Sequence, residues 1–184
     1  MSEPNPYQAS EAVYENLPPE PDAKSFGGWL ILPLLGLAFS LVRESFSLLT
    51  NYLPMFSNGT WAKLTTPGSV AYHPLWAPMF SFEIVGALGI VALSLTTLAH
   101  FINKSKTTPK LMIGFLLFNL ALTTGDAIFT SFIPYFDTHH STVAGPNLAR
   151  AIFSVLIWAP YFLKSERVRT TFVRNWPRKP VSPA

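Results

Sequence analysis

Four long apolar segments dominate the hydropathy pattern of the chain and predict four membrane-spanning helices. They run from about residue 27 to 49, 78 to 102, 111 to 135 and 148 to 164. About 20 helical residues cross a hydrocarbon layer of roughly 30 Å. Helices are favoured over strands because backbone groups in lipid must be hydrogen-bonded within their own segment. The sequence therefore predicts an all-α integral membrane protein, a four-helix bundle.

Composition agrees with this class. The 184 residues are 49% hydrophobic and only 12% charged, whereas about a quarter of the residues of a soluble domain are charged. A chain this small keeps much of its surface exposed, so a large core cannot account for the difference. The apolar content excludes a disordered chain, and the absence of cysteine excludes a disulfide scaffold.

The distribution of Lys and Arg predicts the orientation. Ten of the 13 basic residues lie before the first segment, between the second and third, or after the fourth. Since cytoplasmic loops carry an excess of Lys and Arg, both termini are placed in the cytoplasm. We predict a disordered acidic tail at residues 1–25, a membrane domain at 26–164 and a basic amphipathic tail at 165–184.

The basic tail has the pattern of a helix that lies on a membrane surface. Val168, Phe172 and Trp176 recur every fourth residue, and this amphipathic sequence could extend the fourth helix. Three arginine residues lie between the apolar positions and are predicted to contact lipid head groups: Arg167, Arg169 and Arg174. Such a segment binds anionic lipid, although simple anchoring of the topology explains the same pattern.

Ionisable residues inside the spans are the most informative feature. Each costs at least ~2.5 kcal/mol near the bilayer centre. Counted from the cytoplasmic helix ends, they lie at depths of roughly 20–28 Å, in the outer half of the bilayer. All four predicted helices contribute to this predicted buried cluster: Arg43, Glu44, Glu83, Asp126 and Arg150.

Polar residues accompany these charges at spacings of three and four residues. A repeat of 3.5 residues places them on one face of each helix in a left-handed bundle. Small and hydroxyl-bearing residues on such a face permit close helix approach and interhelical hydrogen bonds. The predicted polar stripe comprises Ser40, Asn119, Thr123 and Ser154.

We predict two ion pairs in this cluster, Arg43 with Asp126 and Arg150 with Glu83, because the guanidinium fork donates two hydrogen bonds to a carboxylate. Glu44 should face about 100° away from Arg43, towards the lipid boundary or the outer water. Two interpretations stay open. The pairs either fix helix register, or they belong to a ligand or proton site.

The chain carries no sequence signature of catalysis. It lacks a Walker loop, a Gly-x-Ser-x-Gly elbow, a His-Glu-x-x-His pair and a dinucleotide fingerprint. We therefore expect no catalytic residues, no metal ion and no cofactor. The expected partners are the lipid bilayer and either a protein partner or a second copy of the chain. We expect no nucleic acid, because lipid is the nearer partner of a basic tail beside a span.

Three stretches carry a resemblance to a known family: GGWLILPLLGL at 27–37, WAKLTTPGSVAYHPLWAPMFSFE at 61–83 and IWAPYFLKSERVRTTFV at 157–173. With Asp126 between them, they resemble the bacterial inner-membrane family catalogued as domain of unknown function 2569, the YdgK-like proteins. The resemblance spans Gly27 to Val173. It implies a four-helix protein of the inner membrane of Gram-negative bacteria, and it supplies no catalytic residue.

These observations predict a non-enzymatic, multi-pass inner-membrane protein with cytoplasmic termini. Its leading predicted role is that of an accessory or interaction subunit of an envelope complex. The alternative is a small oligomeric or proton-linked transporter, which the excess acid and the stripes of Ser, Thr and Asn favour.

Overall fold

The computed structural model describes residue 23, residues 25–133 and residues 144–176. Three of the predicted segments lie partly outside the described residues: the acidic tail at 1–22 and 24, the end of the third span at 134–135, and the basic tail at 177–184.

All regular elements of the described residues are helical, apart from one bridge between Ser105 and Arg174. This confirms the predicted all-α class. The α-helices are α1 (Ile31–Ser47), α2 (Leu53–Ser57), α3 (Thr60–Thr65), α4 (Trp76–Ile102), α5 (Thr108–Ser131), α6 (Ala144–Lys164) and α7 (Glu166–Thr171).

The first apolar helix continues past residue 49, where the sequence pattern predicted its end. A π-helical turn, Leu48–Tyr52, joins α1 to α2, so that helical backbone runs through Gly28–Ser57. Thr50 Oγ1 donates a hydrogen bond to the Phe46 carbonyl oxygen at 2.9 Å, which satisfies this polar side chain inside the helix. Pro54 follows closely after the π-helical turn; because it has no N–H, it removes one backbone hydrogen bond from this continuous helix.

Three helices are long and apolar enough to cross a membrane, by length and composition: Gly28–Ser57, Trp76–Ile102 and Thr108–Ser131. Large apolar side chains cover their outer surfaces; Val42 and Phe46, for example, are each 66% exposed. The chain is therefore a membrane protein by these criteria. The fourth long helix, α6, has 21 residues, which corresponds to about 31 Å.

The long helices pack in the order α1, α4, α5, α6. Within the described residues, α1 and α6 are not among the helix pairs that pack closely along each other. The α4–α5 contact depends on glycine, because a Cβ added at Gly86 or Gly125 would lie under 3.0 Å from Leu122 or Phe82, respectively. Among the described elements, a gap therefore separates α1 from α6 at the other edge of the arrangement.

One end of the helices, here called the basal end, comprises residue 23 and residues 25–30, 101–108 and 162–176. Its core contains Leu30, Phe101 and Phe172, which are all at most 4% exposed. Lys104 Nζ donates a hydrogen bond to the Ala23 carbonyl oxygen at 3.2 Å. Both described chain ends therefore meet at the loop between α4 and α5.

The segment after α6 packs on the protein rather than extending the helix. Ser165 has extended backbone (ψ 124°), so α7 begins as a separate helix. Val168 and Phe172 are 1% and 4% exposed and belong to the basal core, and the Trp176 ring meets His100 edge-on at 4.6 Å. The apolar stripe expected at the lipid surface thus faces the protein.

The three arginines of this segment differ in their surroundings. Arg169 is exposed, the Arg167 guanidinium lies against Gly27 and Gly28, and the Arg174 backbone N–H donates to the Lys104 carbonyl oxygen at 3.1 Å. Contact of these arginines with lipid head groups stays a prediction.

Five hydroxyl groups are buried without a hydrogen-bond partner among the described residues: those of Ser94, Thr97, Thr108, Tyr161 and Thr171. The four Ser and Thr residues are 0% exposed. An unsatisfied buried polar group costs about 1–3 kcal/mol, and the whole stability of a typical domain is about 5–15 kcal/mol. Five such groups would therefore cost a large part of the free energy of unfolding of a chain of this size.

Candidate polar binding site

A cavity of about 510 Å³ lies among α1, α4, α5 and α6, and each of these helices lines it. It occupies the half of the helices away from the basal end. The structure brings together around this cavity all nine residues of the predicted cluster and stripe: Arg43, Glu44, Glu83, Asp126, Arg150, Ser40, Asn119, Thr123 and Ser154.

Helix geometry explains why residues so far apart in sequence meet. Residues three and four positions apart share one face of a helix, and the predicted stripes follow this spacing. Since α4 and α5 are joined by a short loop at the basal end, Glu83 and Asp126 lie at similar heights, about 28 and 27 Å from the helix ends at Ile102 and Thr108, respectively.

The two predicted ion pairs are wrong. Arg43 forms an ion pair with Glu44, and Arg150 Nη1 instead donates a hydrogen bond to Asn147 Oδ1 at 3.0 Å. Among the described residues, neither arginine lies within ion-pair distance of Glu83 or Asp126.

The position predicted for Glu44, towards the lipid boundary or the outer water, is also wrong. The Glu44 side chain is only 15% exposed and the Arg43 side chain is 60% exposed, so the acid rather than the base is sheltered by the protein. The long Arg43 side chain crosses to its neighbour, which cancels the charge of Glu44 within one helix.

An acid pair remains on the other side of the cavity. The Glu83 and Asp126 carboxyl groups both line the cavity and lie close enough to repel each other when both are ionised, and Tyr52 Oη donates a hydrogen bond to Glu83 Oε2 at 3.1 Å. One proton on either acid would remove this repulsion, because a protonated carboxyl group is neutral and can donate a hydrogen bond. The pair would then carry a single negative charge.

Tyr52 is a site residue that sequence reasoning missed. A tyrosine near the end of a span by itself indicates only a position at the membrane boundary. Tyr52 lies in the π-helical turn Leu48–Tyr52, and such a turn shifts the phase of the residues that follow it. A 3.5-residue repeat carried on from Arg43 therefore contains no signal that this side chain reaches α4.

The segment after the π-helical turn closes the outer end of the helices. Leu64 of α3 packs against a small core formed by Trp76, Met79 and Ile133. The Trp61 and Phe80 rings lie 6.3 Å apart. This segment holds Tyr52 beside the cavity.

The cavity is electrically neutral when the acid pair holds a proton. The charges of Arg43 and Glu44 cancel, and the charge of Arg150 offsets the single charge that Glu83 and Asp126 then share. Loss of that proton gives the cavity a formal charge of −1. The lining side chains thus offer hydrogen bonding, ion pairing and proton exchange. Among the described residues, no three His, Cys, Asp or Glu side chains are grouped as metal ligands.

Long apolar helices around a polar cavity define an all-helical protein of the membrane-spanning class. A family model described as "Protein of unknown function (DUF2569)" matches residues 23–173, and the chain belongs to this family. The match covers the four long helices together with α7, and it confirms the family resemblance noted in the sequence. Comparisons with curated proteins and with solved structures found no match.

Proposed function

We propose that the chain is a four-span protein of the bacterial inner membrane, with α6 as the fourth span and both termini in the cytoplasm. The family resemblance supports the inner membrane. The charge distribution supports the orientation, because cytoplasmic ends carry an excess of Lys and Arg. Seven basic residues lie at or near the basal end: Lys104, Lys106, Lys110, Lys164, Arg167, Arg169 and Arg174.

We further propose that the cavity binds a small monovalent cation and carries it across the membrane in exchange for a proton. The observation that carries this proposal is the pair of neighbouring acids, Glu83 and Asp126, on the wall of a cavity of about 510 Å³. In a membrane interior, net charge is costly. One proton or one monovalent cation on the acid pair leaves the cavity neutral, which favours one-for-one exchange.

These side chains favour transport rather than catalysis. A hydroxyl nucleophile needs an adjacent general base to activate it. The Thr123 hydroxyl, which lines the cavity, instead donates to the Asn119 carbonyl oxygen at 2.8 Å. The Tyr52 hydroxyl donates to the Glu83 carboxyl group.

Proton release from vesicles tests the proposal. The purified full-length chain is reconstituted into vesicles that are acidic inside and contain a pH-sensitive dye. Sodium, potassium or tetramethylammonium chloride is then added outside. We expect at least one of these permanent cations to raise the internal pH severalfold faster than it does in protein-free vesicles. Folded protein in the vesicles with all three rates equal to the protein-free rates would overturn cation exchange.

A second candidate, the interaction subunit, is favoured by the exposure of Arg43. Its side chain is 60% exposed at a depth where lipid is expected, and a charged side chain facing lipid costs about 2.5–3.5 kcal/mol. A second copy of the chain laid against α1 would cover Arg43 and close the gap between α1 and α6. The proposed assembly is therefore a homo-oligomer.

Cysteine crosslinking tests this second candidate, because the natural chain contains no cysteine. Phe39 lines the cavity on α1 and is 68% exposed. Oxidation of native membranes should capture dimers through Phe39→Cys. Leu88→Cys on α4, a position that is 54% exposed, is the matched control and should stay monomeric. Equal yields at the two positions would count against an interface at α1.

A further inference from the structure

The buried hydroxyl groups of α4 differ from the other helical hydroxyls of the chain. Thr96 Oγ1, on the exposed face, donates to the Ala92 carbonyl oxygen at 2.8 Å, and Ser81 and Thr124 make the same bond within their own helices. Ser94 and Thr97 are 0% exposed, yet their hydroxyls have no partner. A local backbone bond is the usual way to satisfy such a group, so these two hydroxyls are directed into the interior.

Ser94 and Thr97 continue the face of α4 that lines the cavity. Glu83, Ala87 and Ile90 line the cavity, and Ser94 and Thr97 follow at steps of four and three residues. At 1.5 Å per residue, Thr97 lies about 21 Å from Glu83 towards the basal end. The face of α4 that lines the cavity therefore continues towards the basal end with hydroxyl groups that have no hydrogen-bond partner among the described residues.

Two neighbouring helices repeat this arrangement. On α6, Tyr161 lies seven residues, or two turns, beyond the cavity residue Ser154. On α5, Thr108 lies eleven residues, or about three turns, before the cavity residue Asn119. Both hydroxyls are buried and without a partner. Three helices thus present unsatisfied hydroxyls on the same faces that form the cavity.

The surroundings of these hydroxyls are otherwise apolar. The basal core around them contains Phe101, Met112 and Phe162, which are all at most 3% exposed. Buried water is the ordinary partner of interior polar groups that protein atoms do not satisfy, and each such water uses two to four hydrogen bonds. Hydroxyls from three helices can supply those bonds.

We propose that water occupies the helix interior between the cavity and the basal end, hydrogen-bonded to Ser94, Thr97, Thr108 and Tyr161. This column of water connects the acid pair with the solvent at the basal end. The acid pair therefore takes up its proton from the basal side and releases it to the same side. Only the use of the column by protons rests on the proposed cation exchange. The hydration itself is independent of what the cavity binds.

Thiol accessibility tests the hydration directly. Single Thr97→Cys and Thr96→Cys variants of the full chain place a thiol at nearly the same depth on the inner and outer faces of α4. The probe is silver ion, which is small enough to enter a water-filled interior, and thiols react as thiolates, which lipid disfavours. We expect Thr97→Cys to react severalfold faster than Thr96→Cys. Equal or slower reaction at Thr97→Cys would overturn the proposal.

An isosteric variant covers the case in which Thr97→Cys fails to fold. Thr97→Val removes the hydroxyl and keeps the side-chain shape. In a dry interior, loss of an unsatisfied group stabilises the protein, so a rise in unfolding temperature with Thr97→Val, relative to Thr96→Val, would refute hydration. We expect no such rise. Fast silver labelling without cation exchange would overturn the proposed function and leave the hydrated column standing.

Discussion

Asp126→Asn is expected to slow cation–proton exchange by roughly 10- to 100-fold and to leave the helices folded. The substitution removes the negative charge that a bound cation contacts; an interaction with a charged group contributes about 1.5–3 kcal/mol, and each 1.4 kcal/mol corresponds to about tenfold in affinity. The amide has nearly the same shape as the carboxyl group but cannot exchange a proton. With the amide, the cavity is already neutral when Glu83 is ionised, so a bound cation no longer balances a charge.

The measurement is the rate of internal alkalinisation in the vesicle assay with the most active of the three cations. Glu166→Gln is the matched control, because Glu166 is an exposed acid on α7 at the basal end and its neutralisation should leave the rate unchanged. Tyr52→Phe removes one neutral hydrogen bond to Glu83 and should have a smaller effect than Asp126→Asn. Wild-type exchange in Asp126→Asn would remove the acid pair from the mechanism.

Gly125→Ala is expected to destabilise the protein by about 1–3 kcal/mol, the usual cost of added volume in a packed contact. The added Cβ would lie under 3.0 Å from the Phe82 ring of α4, and a ring cannot fold away as a flexible chain end can. α4 and α5 must therefore separate or Phe82 must change its rotamer. Phe82 lines the cavity, so the change also disturbs the site.

Thermal unfolding in detergent checks this prediction. Gly114→Ala on the same helix is the control, since nothing lies within 4 Å of the added Cβ. Replacing a helical Gly by Ala at an open position is favourable by up to about 1 kcal/mol, so Gly114→Ala should raise the unfolding temperature. If Gly125→Ala unfolded at or above the temperature of Gly114→Ala, the close α4–α5 contact would be wrong.

The positions of the long helices could be predicted because bilayer thickness and hydropathy constrain them independently of tertiary packing. The predicted segment at 78–102 corresponds to α4 at Trp76–Ile102. The predicted segment at 148–164 corresponds to α6 at Ala144–Lys164. The π-helical turn at Leu48–Tyr52 had no such signal, because one extra residue in a helical turn leaves hydropathy unchanged.

The residues around the cavity could be predicted from spacing and depth, but their partners could not. Depth along a helix is fixed by 1.5 Å per residue, which is why Glu83 and Asp126 meet. A long Arg43 side chain can reach several acids, and rotamer preference and local burial decide among them. Its neighbour Glu44 lies closest along the chain and forms the pair.

The environment of the segment after α6 could not be predicted for a different reason. An apolar residue at every fourth position fits lipid and protein equally well as a partner. The basal core decides between them here, because the Phe172 ring packs edge-on against Phe101 at 5.0 Å. Periodicity reports which face is apolar and does not report what covers it.

The meeting of both described chain ends at the basal loop makes the family unit a closed module. Ala23 is bonded to Lys104, and Arg174 is bonded to Lys104 and Lys106. A domain whose entry and exit points are adjacent can be inserted into a host protein, duplicated in tandem or circularly permuted with little change in its packing. This membrane domain is therefore suited to being inserted into larger proteins as one continuous gene segment.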